Sequence, residues 1–435
     1  MKNRSFDKLI TKSNLLPKEA KMNRISKVIG LGLCLLIVHT AHAAAGDSGQ
    51  TNQSCQPKVC PKPCPPKPCK PPCPPVCFER GYPDAQCCLP SAYNEPADYE
   101  LSPCPWNFWF DASFTYWTAY EDGLDLANSV STIAGQTGAE QIPQHSHYLF
   151  QKTEWKPGFK VGLGLDLDFD HWSGYAEYTW FRSRTHTSAG LPGGAPAGSS
   201  NPAWLVRGWD LGQRNGNTLV LNQLDAIGTQ ASAISSSWRT NIDLLDTAVT
   251  RPYYQGTHLI VAPFGGFRAT WIRQSLRMAI TPFSPTINNA LSTAVFHNRS
   301  SSWAVGPRVG FGGQWHLGWG FRFEGDCAGT IAFTRYTKVA SSAGPVLISR
   351  PYTRSAHWAD VNTVRFNNDM NFGIGWGSYF DCRNYHFDLL ATYDFQIFWN
   401  QNMMRKLTDA TSTGVSGASN NLYLQGLTMK AQFDF

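Results

Sequence analysis

The sequence predicts an all-β chain: a transmembrane antiparallel β-barrel of about ten strands, within a range of roughly 8–16, behind a Pro/Cys-rich extended N-terminal segment. Three observations predict it. Apolar and polar residues alternate over runs longer than ordinary soluble strands. Short and long connections alternate along the chain. An export leader opens the sequence, and no later stretch is apolar enough for a spanning helix.

The leader is read first, over residues 1–43. Arg24 and Lys27 precede an eleven-residue apolar run, Val28 to Val38, and Ala41-His42-Ala43 places small residues at a cleavage site. Met22 is a candidate start. The run is too short to span a bilayer, which needs about 20 residues. The leader also explains the charge. The chain of 435 residues has a formal net charge of +6. Residues 1–43 hold eight Lys/Arg and two Asp/Glu, so the remainder carries 29 basic and 29 acidic residues. A balanced mature chain gives no electrostatic reason to expect nucleic acid.

Residues 44–105 form the second region, expected in the periplasm. Residues 55–77 contain six Cys, ten Pro and four Lys among 23. Proline removes backbone donors and fixes φ, so neither helix nor sheet fits. A polyproline II rod of roughly 70 Å does, at about 3.1 Å per residue. Its thiols splay around the axis and lack the paired Cys-x-x-Cys spacing of a zinc site. Export permits disulfides. The crosslink candidates are Cys55, Cys60, Cys64, Cys69, Cys73, Cys77, Cys87, Cys88, Cys104 and Cys382. Disulfide-linked envelope partners and local bridges are both open readings. Cys327 shares a register with Phe321, Phe323, Ile331 and Phe333, and is expected to be an inert apolar residue.

From residue 106 the barrel begins. Phe159, Val161, Leu163, Leu165, Leu167 and Phe169 alternate with Lys160, Gly162, Gly164, Asp166 and Asp168, giving a strand with one apolar and one polar face. The pattern recurs through Tyr423–Phe435. Strands are expected near 106–118, 157–169, 173–185, 236–248, 257–278, 302–316, 319–336, 361–380, 385–399 and 421–435. Gly265-Gly266 leaves room for an extra hairpin. Trp, Tyr and Phe bracket the apolar faces as in membrane-barrel girdles, and short turns alternate with long loops. In hydrocarbon such a sheet must close, because an open edge leaves backbone groups unpaired.

If the apolar face meets lipid, the polar face lines a lumen. The pore-lining candidates are Lys160, Asp166, Asp168, Arg268, Arg308, Arg322, Glu324, Asp326, Arg365, Asp369, Asp388 and Asp394, with Arg273 and Lys430 beside them. Opposed charges across a pore set ion selectivity. Tyr120-Glu121-Asp122-Gly123 misses calcium-loop spacing and reads as a solvated acidic loop. His386 and Asp388 share a face and are expected to form lumen hydrogen bonds rather than a catalytic pair. Nucleophile-elbow, zinc-protease and phosphate-loop motifs are missing. An enzyme, a cofactor and a metal are not expected.

Several stretches resemble a known family. WFDASFTYWTAYEDGLDLA (109–127), EWKPGFKVGLGLDLDFDHWSGYAEYTWF (154–181), APFGGFRATWIRQSL (262–276) and SSWAVGPRVGFGGQWHLGWGFRFEGD (301–326) are similar to the major outer membrane proteins of Legionella and Chlamydia-like bacteria. The resemblance implies an outer-membrane porin for small hydrophilic solutes and ions, contacting outer-membrane lipid. Phe435, after Phe433, looks like the signal read by the bacterial barrel-assembly machinery. A homo-oligomer is an open expectation. The alternative reading is a structural or adhesive envelope protein crosslinked through the Pro/Cys segment.

Overall fold

A computed structural model describes residues 106–132, 143–167, 172–190, 204–205, 231–282, 293–344, 354–380, 385–412 and 420–435. In chain order the strands are β1 (Trp106–Glu121), β2 (Asp125–Thr132), β3 (Pro143–Phe150), β4 (Trp155–Leu167), β5 (Trp172–Gly190), β6 (Trp204–Leu205), β7 (Ala231–Thr250), β8 (Tyr254–Gln255), β9 (Leu259–Pro282), β10 (Ala294–Gly318), β11 (Phe321–Gly344), β12 (Arg354–Trp358), β13 (Val361–Phe380), β14 (Tyr385–Phe398) and β15 (Leu422–Asp434). A single described helix, α1 (Met403–Ser412), lies between β14 and β15.

Ten strands make the wall. β1, β4, β5, β7, β9, β10, β11, β13, β14 and β15 pair antiparallel in that order, and β15 returns to β1. The backbone of Phe108 and that of Phe435 exchange two hydrogen bonds, each 2.9 Å, at the seam. Closure leaves no wall edge to pair with a foreign strand. Each of the ten expected strands is present, most of them longer than expected. β9 runs unbroken through Gly265-Gly266 in constant register, so the extra hairpin does not form.

At one end the connections are short. Trp319 and Gly320 alone join β10 to β11, with φ of 55° and 81°, the left-handed values a two-residue hairpin turn demands. Both chain ends of the barrel lie at this end. At the other end the connections are long and partly folded. β2 and β3 form a hairpin, β12 adds to β11, and α1 occupies a stretch expected to be loop.

The polarity of the strands inverts partway up the wall. Across β5, β7, β9, β10 and β11 one register row reads Trp180, Asp243, Trp271, Trp303, Arg335. Toward the short turns, outward residues are apolar and exposed, as with Phe267, Val305, Val309, Ile331 and Phe333. Toward the long loops the outward residues become polar and the inward ones apolar. β7 shows the switch at Leu244-Leu245: Leu245 faces out, while Leu244, Ile242 and Trp238 face in and are fully buried. Lipid surrounds one part of the wall and water the other, and each face follows its solvent.

This inversion corrects one lumen assignment. Arg268 faces in and Arg273, five residues on, faces out and is exposed. A period of two without a bulge puts them on opposite faces. A polar residue above the Trp row belongs outside.

Candidate functional site: a charged chamber beneath an apolar plug

In the short-turn half the barrel encloses a chamber of about 740 Å³. Glycines on β4 make room in its wall. Gly162 and Gly164 stand opposite Asp111 and Trp109 in register, and a methyl at either would collide with that carboxylate or indole. The smallest residue on one strand thus lets a large inward side chain fit on the next.

The walls carry eight carboxylates and four cationic side chains. Arg268 from β9 holds Asp246 from β7 through two nitrogens, at 2.5 and 2.7 Å, and reaches Asp369 on β13 at 2.8 Å. Asp369 also takes Arg308 from β10 at 2.5 Å, and Arg308 donates to the Tyr175 hydroxyl on β5 at 3.3 Å. One chain of charges therefore runs across the interior from wall to wall. Lys160 from β4 forms a second bridge, to Asp394 on β14 at 3.0 Å and to Glu177 at 3.6 Å. Charged pairs of this burial hold where the partners are hydrogen-bonded, as Asp246 and Asp369 are by Arg268 and Arg308. Asp111 Oδ2, Ser113 Oγ and Arg308 Nε have no protein partner among the described residues. Polar atoms facing an interior space in this way are satisfied by water.

Of the lumen candidates, Lys160, Asp166, Arg268, Arg308, Glu324, Asp326, Asp369 and Asp394 line this chamber, as does Lys430. Arg322 and Asp388 face inward beside it and pair through two contacts, the longer 2.8 Å. Glu324 accepts from Arg322 at 3.0 Å. Arg365 faces in at the other end, over the Tyr336 ring at 5.9 Å. Asp168 lies outside the described residues, as do Cys55, Cys60, Cys64, Cys69, Cys73, Cys77, Cys87, Cys88, Cys104 and Cys382. Cys327 is disulfide-bonded, which corrects its reading as an inert thiol. It sits half-buried on the outward row, and residue type alone does not separate packing from bridging. His386 pairs with Asp434 at 2.6 Å, not with Asp388.

Asp111, Glu177 and Asp246 also line the chamber, although the lumen set expected from sequence lacks them. Asp246 is obscured because β7 reverses its alternation at Leu244-Leu245. Glu177 stands two residues from Tyr175 and Thr179 on the inward row, and strand parity is the signal that finds it.

Above the chamber the long-loop half is filled. Trp117, Phe181, Trp238, Leu276, Met278, Leu422 and Leu424 point inward into one apolar cluster, joined by Met404 of α1. Met403 and Leu407 pack on Tyr336 and Val339. The helix begins where Asn402 caps it, its side-chain oxygen accepting from the Arg405 amide at 3.0 Å. Asn402 Nδ2 donates to the Asp122 carbonyl at 3.0 Å and Gln401 Nε2 to Ser302 at 2.9 Å, fastening α1 to opposite walls. Arg405 reaches Asp125 at 3.3 Å; burial pushes the Asp125 carboxyl up, with Arg405 opposing. Gln274 donates across the barrel to Glu121 at 2.7 Å. Glu121 is 1% exposed, and Asp122 and Asp125 are half-buried and paired with Tyr423 and Arg405, so the stretch expected to be a solvated acidic loop is instead packed into the closure.

The family model described as Legionella pneumophila major outer membrane protein precursor matches residues 102–435. The chain belongs to this family. The family model covers the whole barrel, which is thereby an outer-membrane barrel. No curated protein sequence matches the chain. Among solved structures, the outer membrane protease OmpT from Escherichia coli is similar at 11% identity and TM-score 0.35, covering 77% of this chain and 99% of that one. A major outer membrane protein from Thermus thermophilus gives 12% identity and TM-score 0.23, over 74% and 99%. The Pseudomonas putida toluene transporter TodX gives 9% and 0.26, over 75% and 89%. At such values they carry no argument about activity.

Proposed function

We propose that this outer-membrane protein is a porin for small hydrophilic solutes and ions, with α1 and the cluster around Trp117 and Trp238 as its closure. The observation that carries the reading is the charged chamber. A barrel built only as a membrane anchor needs no water-filled interior of this size, and apolar packing there would be at least as stable. Eight carboxylates against four cations make the chamber a cation-attracting vestibule. Short turns face the periplasm in such barrels, so the vestibule opens inward and the closure faces out. Export by the 1–43 leader, a periplasmic Pro/Cys segment and insertion through Phe435 complete the reading. No catalytic step is assigned: His386 and Asp388 are each engaged by a different partner.

Purified protein in planar bilayers should give stepwise conductance with a reversal potential favouring cations over anions. A well-folded preparation that never conducts, even under applied voltage, sinks the proposal. The second reading, a crosslinked or adhesive envelope protein, rests on the nine cysteines between residues 55 and 104. Non-reducing gels of intact envelopes test it; loss of high-mass complexes on adding reductant is its expected result.

A further inference from the structure

Immediately beyond the Trp row, the outward face of five adjacent strands is basic. The next row reads Arg182, Asn241, Arg273, Ser301, Lys338 and the one after it Arg184, Arg239, Ser275, Arg299, Ala340. Arg182 is neutralised by Asp243 at 2.7 Å. Arg184, Arg239, Arg273, Arg299 and Lys338 are exposed, and no acidic partner is found for them among the described residues. Arg184 stands directly opposite Arg239 in register, and like charges so placed destabilise a sheet. The other half of the wall differs. There Tyr120 of β1, Phe395 of β14 and Tyr423 of β15 pack ring against ring.

The depth of the belt identifies its counter-ion. Trp180, Trp271 and Trp303 mark the hydrocarbon edge, where indole rings settle. One and two rows farther along the strand lie roughly 7 and 13 Å at about 3.3 Å per residue, and the strand tilt shortens this along the normal. That is headgroup depth. Long loops face the outside, so the leaflet is the outer one. We propose that the belt on β5, β7, β9, β10 and β11 binds a phosphate-bearing glycolipid of the outer leaflet, with Arg239, Arg273 and Arg299 as the central contacts. Guanidinium forks suit phosphate oxygens, and a bound phosphate relieves the repulsion between Arg184 and Arg239.

The test uses the full chain in neutral-detergent micelles, titrated with bisphosphorylated lipid A, with the same lipid after phosphatase treatment, and with pyrophosphate as a soluble source of the same chemistry. Binding should weaken by about a hundredfold on removing the lipid's phosphates, or in the triple variant Arg239→Gln, Arg273→Gln, Arg299→Gln, at about fivefold for each charge. The corresponding triple Lys variant should bind more tightly than the Gln variant and less tightly than the native chain, because it keeps the charge and loses the guanidinium forks. All three side chains point outward, and heat-modifiable gel mobility verifies that each variant is folded. Equal binding of the dephosphorylated lipid, or full binding by the folded Gln variant, overturns the proposal. Pyrophosphate binding as tightly as the lipid overturns the assignment to a lipid.

Discussion

The two halves of this barrel solve opposite problems with the same ten strands. In the short-turn half the outside is oily and the inside polar, with Phe267 facing out and Arg268 facing in on β9. In the long-loop half the same strand turns Arg273 out and Ile272, Leu276 and Met278 in. The lower half is a membrane protein by its outer face. The upper half is built like a soluble domain, with its own apolar core and a helix packed into it. The difference teaches that a strand's polarity pattern reports its surroundings, not its fold.

The comparison is broken most directly by removing the core of the upper half. Replacing residues 401–412 with a short Gly/Ser linker, so that α1 is lost, should raise single-channel conductance in planar bilayers by about tenfold, since an apolar constriction excludes ions far more than a charged chamber does. Unchanged conductance would show that the seal lies elsewhere. In the lower half, Asp369→Ala leaves Arg268 and Arg308 without their shared carboxylate. A buried charge pair broken on one side costs about 3–5 kcal/mol, to be read as a lower midpoint for unfolding in denaturant from lipid vesicles. Leu276→Ala in the upper core should cost about 2–5 kcal/mol by the same assay, and should also loosen the seal, which Asp369→Ala should leave in place. The smallest effect is on pH. Because the docked state holds the Asp125 proton more tightly than the free state does, docking of α1 is favoured as pH falls and weakened as pH rises through the raised value. Conductance should therefore be slightly lower in acid. Asp125→Asn should flatten that dependence, and an unchanged slope would remove Asp125 from the account.

Strand number, order of connections and the lumen placement of Lys160, Arg268, Arg308, Asp369 and Asp394 were legible in the sequence, because lipid on one side enforces a strict alternation there. The upper half was harder to read. Where Ile234, Trp238 and Ile242 face inward and Ser235, Arg239 and Asn241 outward, the alternation is just as strict but means the reverse. Assigning polar residues to the lumen throughout placed Arg273 inside. The helix is hidden from the sequence pattern for a related reason. Its stability comes from Met403, Met404 and Leu407 packing into a barrel mouth, and a segment this short has little helicity of its own in water. The register row of three tryptophans was the signal that could have marked the boundary.

The bonds between Phe108 and Phe435 join the first strand of the wall to the residue that follows its last strand, β15. β1 finds its second neighbour only when β15 has been made, so the seam is among the most non-local contacts in the molecule and loop-closure entropy must be met before it forms. Until then β1 carries a bare edge that would pair with any other strand. A chain cut short by even one strand cannot seal, and so cannot rest stably in hydrocarbon. The seam therefore acts as a check on the wall itself: the membrane retains the chain only once β15 has been made and paired with β1.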